Sequence, residues 1–358
     1  MKILLANGLK KVKLRNTMRI LIIQTAFIGD CVLTTPFIRR TREAYGEDAV
    51  VAVLTTPDGK GVFDGNPNID EIIVYDKRNS DARLSTHFGV VNDLLARKFD
   101  IAFLPHRSFR TGLMAMMARI PERVGFTKSG GSIFYTKSVQ KQMDLPEPER
   151  LLDLITVFGH RPKPCPLEVF PGKAREKKAE ELLAKIGLAD KRFVTVAPGS
   201  VWGTKRYPTD LFVEVIRGLF KEKLVENAIL LGGESDADLC DKIIAKAGSG
   251  TFSLAGETDI LTSAVIISKS KLFIGNDSGP SHLAAAVGTP VVTIFGPTIP
   301  EFGFIPYGDN VTIVEPPIEL KCRPCSPHGK MDCPRGDHAC MMSIFPDKII
   351  GAAARALQ

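Results

Sequence analysis

One segment, GNDSGPSHLAAAVG at 275–288, combines small and polar residues in a way suited to binding an anion. An apolar run before it predicts a strand, and Pro280 fits the first turn of a following helix. We expect free backbone amides near Ser281 and His282, which together with the helix dipole would attract a phosphate. Gly279 has no side chain to hinder the approach of that phosphate. An ordinary capped turn between strand and helix is the alternative.

A second loop, APGSVWGTKRYP at 197–208, carries Lys205 and Arg206 directly before a predicted helix. A lysine near amides at a helix start is suited to bind a pyrophosphate. Ser200 is among the small residues beside it, which favours a binding loop over a solvated surface charge. Trp202 could stack on a base, although a partly buried packing role fits it better.

A third strand end, NAILLGGESDAD at 227–238, places Glu234 directly after two glycines. An acidic side chain at this position can accept both hydroxyl groups of a ribose. Asp236 and Asp238 also form a D-x-D pattern, which elsewhere holds a metal ion on a nucleotide diphosphate. We favour the simpler interpretation that they complement the dipole of the helix that begins there.

The first strand ends in QTAFIGDCVLTTP at 24–36, which places Gly29 and Asp30 before a helix. The segment lacks a G-x-G-x-x-G fingerprint, and this weakens a dehydrogenase interpretation. Asp30 could simply cap the helix. In a two-domain enzyme it would face the other loops across a cleft, where a carboxylate can act as a general base.

Four of the seven cysteines lie close together late in the chain, in a loop at 321–341. Four thiolates could bind zinc, but the spacing after the first pair is irregular. We therefore favour a cluster of reduced thiols that stabilises the loop, and no metal ligands are assigned. The four are Cys322, Cys325, Cys333 and Cys340.

Short β-branched runs alternate with amphipathic stretches along the whole chain, which predicts an α/β fold of repeated β-α-β units. The predicted strands lie at 18–25, 49–54, 71–75, 100–105, 193–199, 227–233, 251–256, 270–277 and 289–297. The pattern is interrupted once, by a stretch rich in proline. We therefore expect two Rossmann-like doubly wound domains that face a central cleft, with ligands beyond the carboxyl ends of the strands.

The expected boundaries follow from this interruption. A basic N-terminal extension covers 1–17, the first domain 18–160, the linker 161–172 and the second domain 173–358. At 358 residues the chain is long enough for two domains. Hydrophobic residues make up 44% and charged residues 24%, which excludes a disordered or fibrous chain.

The net charge of +7 is concentrated in the first half of the chain. An anionic partner of the N-terminal domain would explain this excess, and a solvated basic face is the alternative. No apolar run reaches the ~20 residues that span a bilayer, and the opening stretch is a poor signal peptide. We therefore expect a cytoplasmic protein whose cysteines are reduced.

Taken together, these segments resemble glycosyltransferase family 9, the ADP-heptose:lipopolysaccharide heptosyltransferases. The resemblance extends over 18–358. It rests on FIGDCVLTTP, APGSVWGTKRYP, LLGGESDADLC, FIGNDSGPSHLAAAVGTPVVTIFGPT and the tail CRPC with CPRGDHACM, in that order.

The resemblance implies a GT-B fold and an inverting transfer of heptose from ADP-heptose to the lipopolysaccharide inner core. Asp30 would be the catalytic base, and the N-terminal domain would bind the acceptor. The nucleotide-sugar would be bound by Ser200, Lys205, Glu234, Asp277, Ser278, Gly279 and His282. No cofactor, catalytic metal or nucleic acid is implied, and peripheral contact with the inner membrane stays open. A nucleotide-sugar epimerase of the same overall fold and a non-enzymatic nucleotide-sugar sensor are the alternatives.

Overall fold

A computed structural model describes residues 17–76 and 83–358, so the predicted extension at 1–17 lies outside it except for Thr17. Within the described residues, twelve strands form two six-stranded sheets in which all paired strands are parallel. The predicted α/β class is therefore confirmed. None of the helices in this part of the chain is both long and apolar enough to cross a membrane.

The first sheet has the order β3-β2-β1-β4-β5-β6, and the second the order β12-β11-β10-β7-β8-β9. The first contains β1 (Arg19–Gln24), β2 (Val50–Thr55), β3 (Glu71–Val74), β4 (Ile101–Leu104), β5 (Glu122–Phe126) and β6 (Lys137–Val139). The second contains β7 (Val194–Ala197), β8 (Ala228–Leu230), β9 (Thr251–Ser253), β10 (Phe273–Asn276), β11 (Val291–Ile294) and β12 (Val311–Val314). Each half therefore has the strand order of a doubly wound nucleotide-binding domain.

Helices cover both faces of each sheet, as buried parallel strands require. They are α1 (Ile28–Tyr45), α2 (Pro57–Phe63), α3 (Arg83–Arg97), α4 (Phe109–Met117), α5 (Glu147–Thr156), α6 (Gly172–Lys185), α7 (Thr209–Lys221), α8 (Ala237–Ala247), α9 (Ile260–Lys269), α10 (Gly279–Ala286), α11 (Ala339–Met342) and α12 (Pro346–Ala356). One apolar core cluster contains residues of both halves, and each sheet has a further cluster on its other face.

All nine strands expected from the sequence are present, and β5, β6 and β12 were not anticipated. The connection between α5 and α6 contains no helix or strand at 160–171. It packs along α1, where Thr35 Oγ1 accepts a hydrogen bond from the Glu168 amide at 3.1 Å. In each half the strand order reverses beside the first strand, between β1 and β4 and between β7 and β10. Ligands of such sheets bind at this reversal point, which is where the candidate site lies.

Candidate functional site

The starts of α1 and α10 meet where the two halves face each other. A Cβ atom on Gly29 would lie 2.8 Å from Cδ2 of His282, and one on Gly279 would lie 3.1 Å from Cγ2 of Ile28. Both glycines are thus needed for the close approach of two helices. The expected reason for Gly279, room for a phosphate, is therefore incomplete, because the space beside it is taken by Ile28.

Two adjoining cavities open at this junction, with volumes of about 130 Å³ and about 440 Å³. The smaller is lined by seven of the eight predicted site residues, namely Asp30, Ser200, Lys205, Asp277, Ser278, Gly279 and His282. Ser200, Ser278 and Gly279 line both cavities. Residues as distant in the sequence as Asp30 and His282 are therefore brought to one place.

Asp30 lies in the first turn of α1 and lines the smaller cavity. Burial, followed by the negative charge of Glu147, raises the pKa of its carboxyl group from 3.8 to about 6. The backbone amides of Phe27 and of Asp30 itself donate hydrogen bonds to it and oppose this rise. Because α1 begins after Phe27, Asp30 lies inside the helix and is not its N-cap residue. Its carboxyl group faces the cleft with a pKa suited to a base.

Lys205 and Asp277 form an ion pair in the opposite wall of the cavity. The Lys205 Nζ atom lies 2.5 Å from Asp277 Oδ2, and the exposed fractions of the two side chains are 13% and 8%. Thr298 Oγ1 donates a second hydrogen bond to the same carboxylate oxygen at 2.6 Å. Because a carboxylate repels a phosphate, Asp277 is better suited to orient Lys205 than to contact a diphosphate itself.

His282 is buried in the same wall and is neutral near pH 7. Burial lowers the pKa of its imidazole to about 4. Its Nδ1 atom is buried and has no hydrogen-bond partner among the residues that the structure describes. The expectation of a free amide at Ser281 is wrong, because that amide donates to the Ser278 carbonyl oxygen at 3.1 Å. The first turn of α10 is tightened by this bond.

Glu234 is the one predicted ligand that does not line either cavity in the described structure. It is exposed in a 3-10 turn at Glu234–Asp236, and its neighbours Gly233 and Ser235 line the larger cavity. Asp236 Oδ2 accepts a hydrogen bond from the Gly233 amide at 3.0 Å, and the residue is the N-cap of α8. The structure therefore agrees with a helix-start role for Asp236.

An aromatic wall closes one side of the smaller cavity, and the sequence alone offers little sign of it. The Trp202 ring lies 6.2 Å from the Phe27 ring, centroid to centroid, and stacks on His328 at 6.3 Å. Trp202 therefore has the packing role that we favoured. Phe27, His328 and Thr298, the partner of Asp277, line this cavity and were not predicted as site residues. Phe27 and Thr298 follow the ends of β1 and β11, a position that could have pointed to them, whereas nothing in the sequence singles out His328.

The four late cysteines line a further cavity of about 330 Å³ beside the Lys205 loop. None of them is in a disulfide, and burial together with the neighbouring cysteines raises the pKa of Cys340 to about 11. Thr204 fixes this loop, because its Oγ1 donates to the Lys330 carbonyl oxygen at 2.8 Å and its carbonyl oxygen lies 2.7 Å from His338 Nε2. Over 17–76 and 83–358, no three His, Cys, Asp or Glu side chains are grouped to hold a metal ion.

Relatives of known sequence and structure match the chain along almost its whole length. Lipopolysaccharide heptosyltransferase 2 of Salmonella typhimurium is 23% identical over 351 residues, which cover 93% of this chain and 97% of the relative.

Two solved structures superpose on it. A glycosyl transferase of family 9 from Veillonella parvula has a TM-score of 0.84 at 23% identity, covering 95% of this chain and 97% of the other. ADP-heptose lps heptosyltransferase II of E. coli has a TM-score of 0.75 at 20% identity, covering 95% and 98%. These likenesses show the GT-B fold that we expected.

The family itself is identified by sequence. The family model described as "Glycosyltransferase family 9 (heptosyltransferase)" matches residues 88–334, which is more than half of the chain. The chain therefore belongs to glycosyltransferase family 9, the heptosyltransferases.

Proposed function

We propose that this chain is an inverting transferase of the heptosyltransferase II type, which moves heptose from ADP-heptose to the lipopolysaccharide inner core. One observation carries the proposal beyond family membership. Asp30 from the first half, with a pKa raised to about 6, lines the same cavity as Lys205 from the second half. A base and a cation on opposite walls are what a transfer with a diphosphate leaving group requires.

The second half would bind the donor. The larger cavity is spacious enough for a nucleoside, and Glu234 at its margin could reach the ribose hydroxyl groups. The diphosphate would then extend along the start of α10 toward Lys205, with Ser200, Ser278 and Gly279 close to it. His282, which is neutral and lines the smaller cavity, could hydrogen-bond the diphosphate or the heptose.

In the reaction, an acceptor hydroxyl oxygen forms a bond to the anomeric carbon while its proton passes to the Asp30 carboxylate. The bond from that carbon to the diphosphate oxygen breaks on the opposite face, and its electron pair leaves with ADP. Attack opposite the leaving group inverts the configuration, as in inverting glycoside hydrolysis. Lys205 would stabilise the charge that builds on the diphosphate, so we expect no catalytic metal ion.

The first half would bind the acceptor, a phosphorylated and therefore anionic glycolipid, which suits residues 101–150 of this half, where eight basic side chains stand against four acidic ones. We place the reaction in the cytoplasm, at the inner face of the inner membrane, where such an acceptor would be presented. The domain limits at 18–160 and 173–358 remain part of this proposal. Neither a cofactor nor a nucleic acid takes part in it.

The test is transfer by the purified protein from ADP-heptose to truncated inner-core acceptors, read by mass spectrometry. We expect an acceptor that is one heptose heavier and one equivalent of ADP. Conversion of the donor sugar in the absence of acceptor would instead favour the epimerase alternative. Donor binding with no turnover under any condition would favour the sensor.

A further inference from the structure

Three large apolar side chains are exposed around one rim of the first half. The exposed fraction is 53% for Phe109, 75% for Ile133 and 50% for Phe88. Phe109 begins α4, which follows β4, and Ile133 lies in the connection after β5. Because the strands are parallel, these connections lie at the carboxyl edge of the sheet, the same edge from which the Asp30 loop leaves β1.

The two connections are joined into one rigid surface. The Phe109 and Phe134 rings pack edge to face with centroids 5.0 Å apart. Arg107 donates through Nη2 to the Lys128 carbonyl oxygen at 2.9 Å, and its own carbonyl oxygen accepts from the Gly130 amide at 3.2 Å. Phe109 and Ile133 therefore keep fixed positions relative to each other.

The charges beside Phe109 and Ile133 along the chain have a single sign. The segments 105–112 and 127–134, which carry these two residues, contain two arginines, one lysine and no acidic residue. Arg107, Arg110 and Lys128 are exposed. Burial and the charge of Arg110 lower the pKa of His87, which places the start of α3 beside the same rim.

We propose that this docking rim, formed by Arg107, Phe109, Arg110, Lys128 and Ile133, binds the surface of an anionic lipid bilayer. Exposed aromatic and aliphatic side chains enter the headgroup region, and arginine and lysine around them are attracted to anionic lipid. Two or three apolar side chains bury too little area for a stable protein interface, but they suffice for reversible membrane contact. Such docking would turn the acceptor side of the cleft toward the membrane.

The experiment is co-sedimentation of the full chain with vesicles of phosphatidylcholine alone or with phosphatidylglycerol added. We expect binding only to the anionic vesicles, weakening as salt is raised. Phe109→Ser with Ile133→Ser should reduce partitioning at least ~10-fold, since both apolar contacts are lost. Arg110→Gln with Lys128→Gln should reduce it by roughly fivefold for each charge removed.

Matched controls lie on the second half. Phe345 is 62% exposed, and Phe345→Ser should leave partitioning unchanged. Lys177→Gln with Lys185→Gln removes two exposed charges there and should also have no effect. All variants should retain their melting temperature, and the apolar pair should keep its transfer rate with a soluble acceptor, so this test is independent of the proposed function.

Equal binding by the rim variants and the wild-type protein would overturn the proposal. Equal loss in the controls would show non-specific adsorption and would overturn it as well. Displacement from vesicles by a soluble phosphorylated saccharide, or dimerisation that the apolar pair abolishes, would assign the rim to the acceptor or to a second copy instead.

Discussion

Replacing Asp30 by asparagine should stabilise the protein while it abolishes most transfer. The carboxyl pKa is raised from 3.8 to about 6, so the folded state disfavours the ionised form. Relative to high pH, protonation of Asp30 therefore stabilises the folded state. This stabilisation is complete below about pH 3.8 and is lost as the pH rises through about 6. This rise in pKa corresponds to a cost of about 3 kcal/mol in the free energy of unfolding at pH 7.5 and about 1 kcal/mol at pH 4.5. The asparagine would carry no charge at either pH and would avoid this cost.

The assay is a comparison of melting temperatures for Asp30→Asn and the wild-type protein at pH 4.5 and pH 7.5. The gain should be clearly larger at pH 7.5, because only there is the wild-type carboxylate fully ionised. Transfer should fall by about 10² to 10⁴, the usual contribution of a general base, while donor binding persists. Asp153→Asn is the matched control, since Asp153 also has a carboxyl pKa raised by burial but lies outside the two cavities.

Two results would refute the reasoning. A variant that is less stable at pH 7.5, or equally stabilised at both pH values, would show that burial of charge does not act on Asp30. A transfer rate close to that of the wild-type protein would remove Asp30 from the mechanism, whatever its effect on stability.

Four further outcomes follow from the site. Glu147→Gln should shift the acid limb of the pH profile of kcat/KM from about pH 6 to lower pH, since the Glu147 charge raises the pKa of Asp30; an unchanged limb would contradict this. Lys205→Ala should lower ADP affinity in calorimetry and reduce transfer by about 100-fold, and unchanged values of both would make the lysine a surface charge. Glu234→Ala should weaken donor binding, with no effect on an analogue that lacks the ribose hydroxyl groups. Transfer should survive EDTA, and a prompt loss that magnesium restores would overturn the metal-free mechanism.

Seven of the nine strands that the sequence revealed are buried on both faces, and the other two are the partly buried edge strands β3 (EIIV) and β9 (TFS). In β1 and β10, continuous apolar runs such as ILII are visible without any knowledge of the fold. β6 (KSV) and β12 (VTIV) are edge strands, and β5 (ERVGF) begins with two charged residues, so none of them has such a run. Their position becomes clear only when the neighbouring strands are in place.

The site was predictable to the extent that it consists of strand ends. Small and polar residues after β1, β7 and β10 pointed to seven residues that do share one cavity. Tertiary pairing was not predictable, because nothing local links Lys205 to Asp277 or Glu147 to Asp30. The free amide expected at Ser281 failed for a local reason, a 3-10 bond to Ser278 that the sequence pattern does not distinguish from an open helix start.

The strength of the base should depend on closure of the cleft. Asp30 owes its raised pKa first to burial, and part of that burial comes from His282 and Phe295 of the second half, which line the same cavity. The halves are held together in part by buried Arg150, whose Nη1 donates to the Phe302 carbonyl oxygen at 2.7 Å. If the halves separated, water would reach Asp30 and its pKa would fall toward 3.8. An open cleft would thus keep Asp30 ionised, and closure over both substrates would make the same carboxylate a stronger acceptor of the hydroxyl proton.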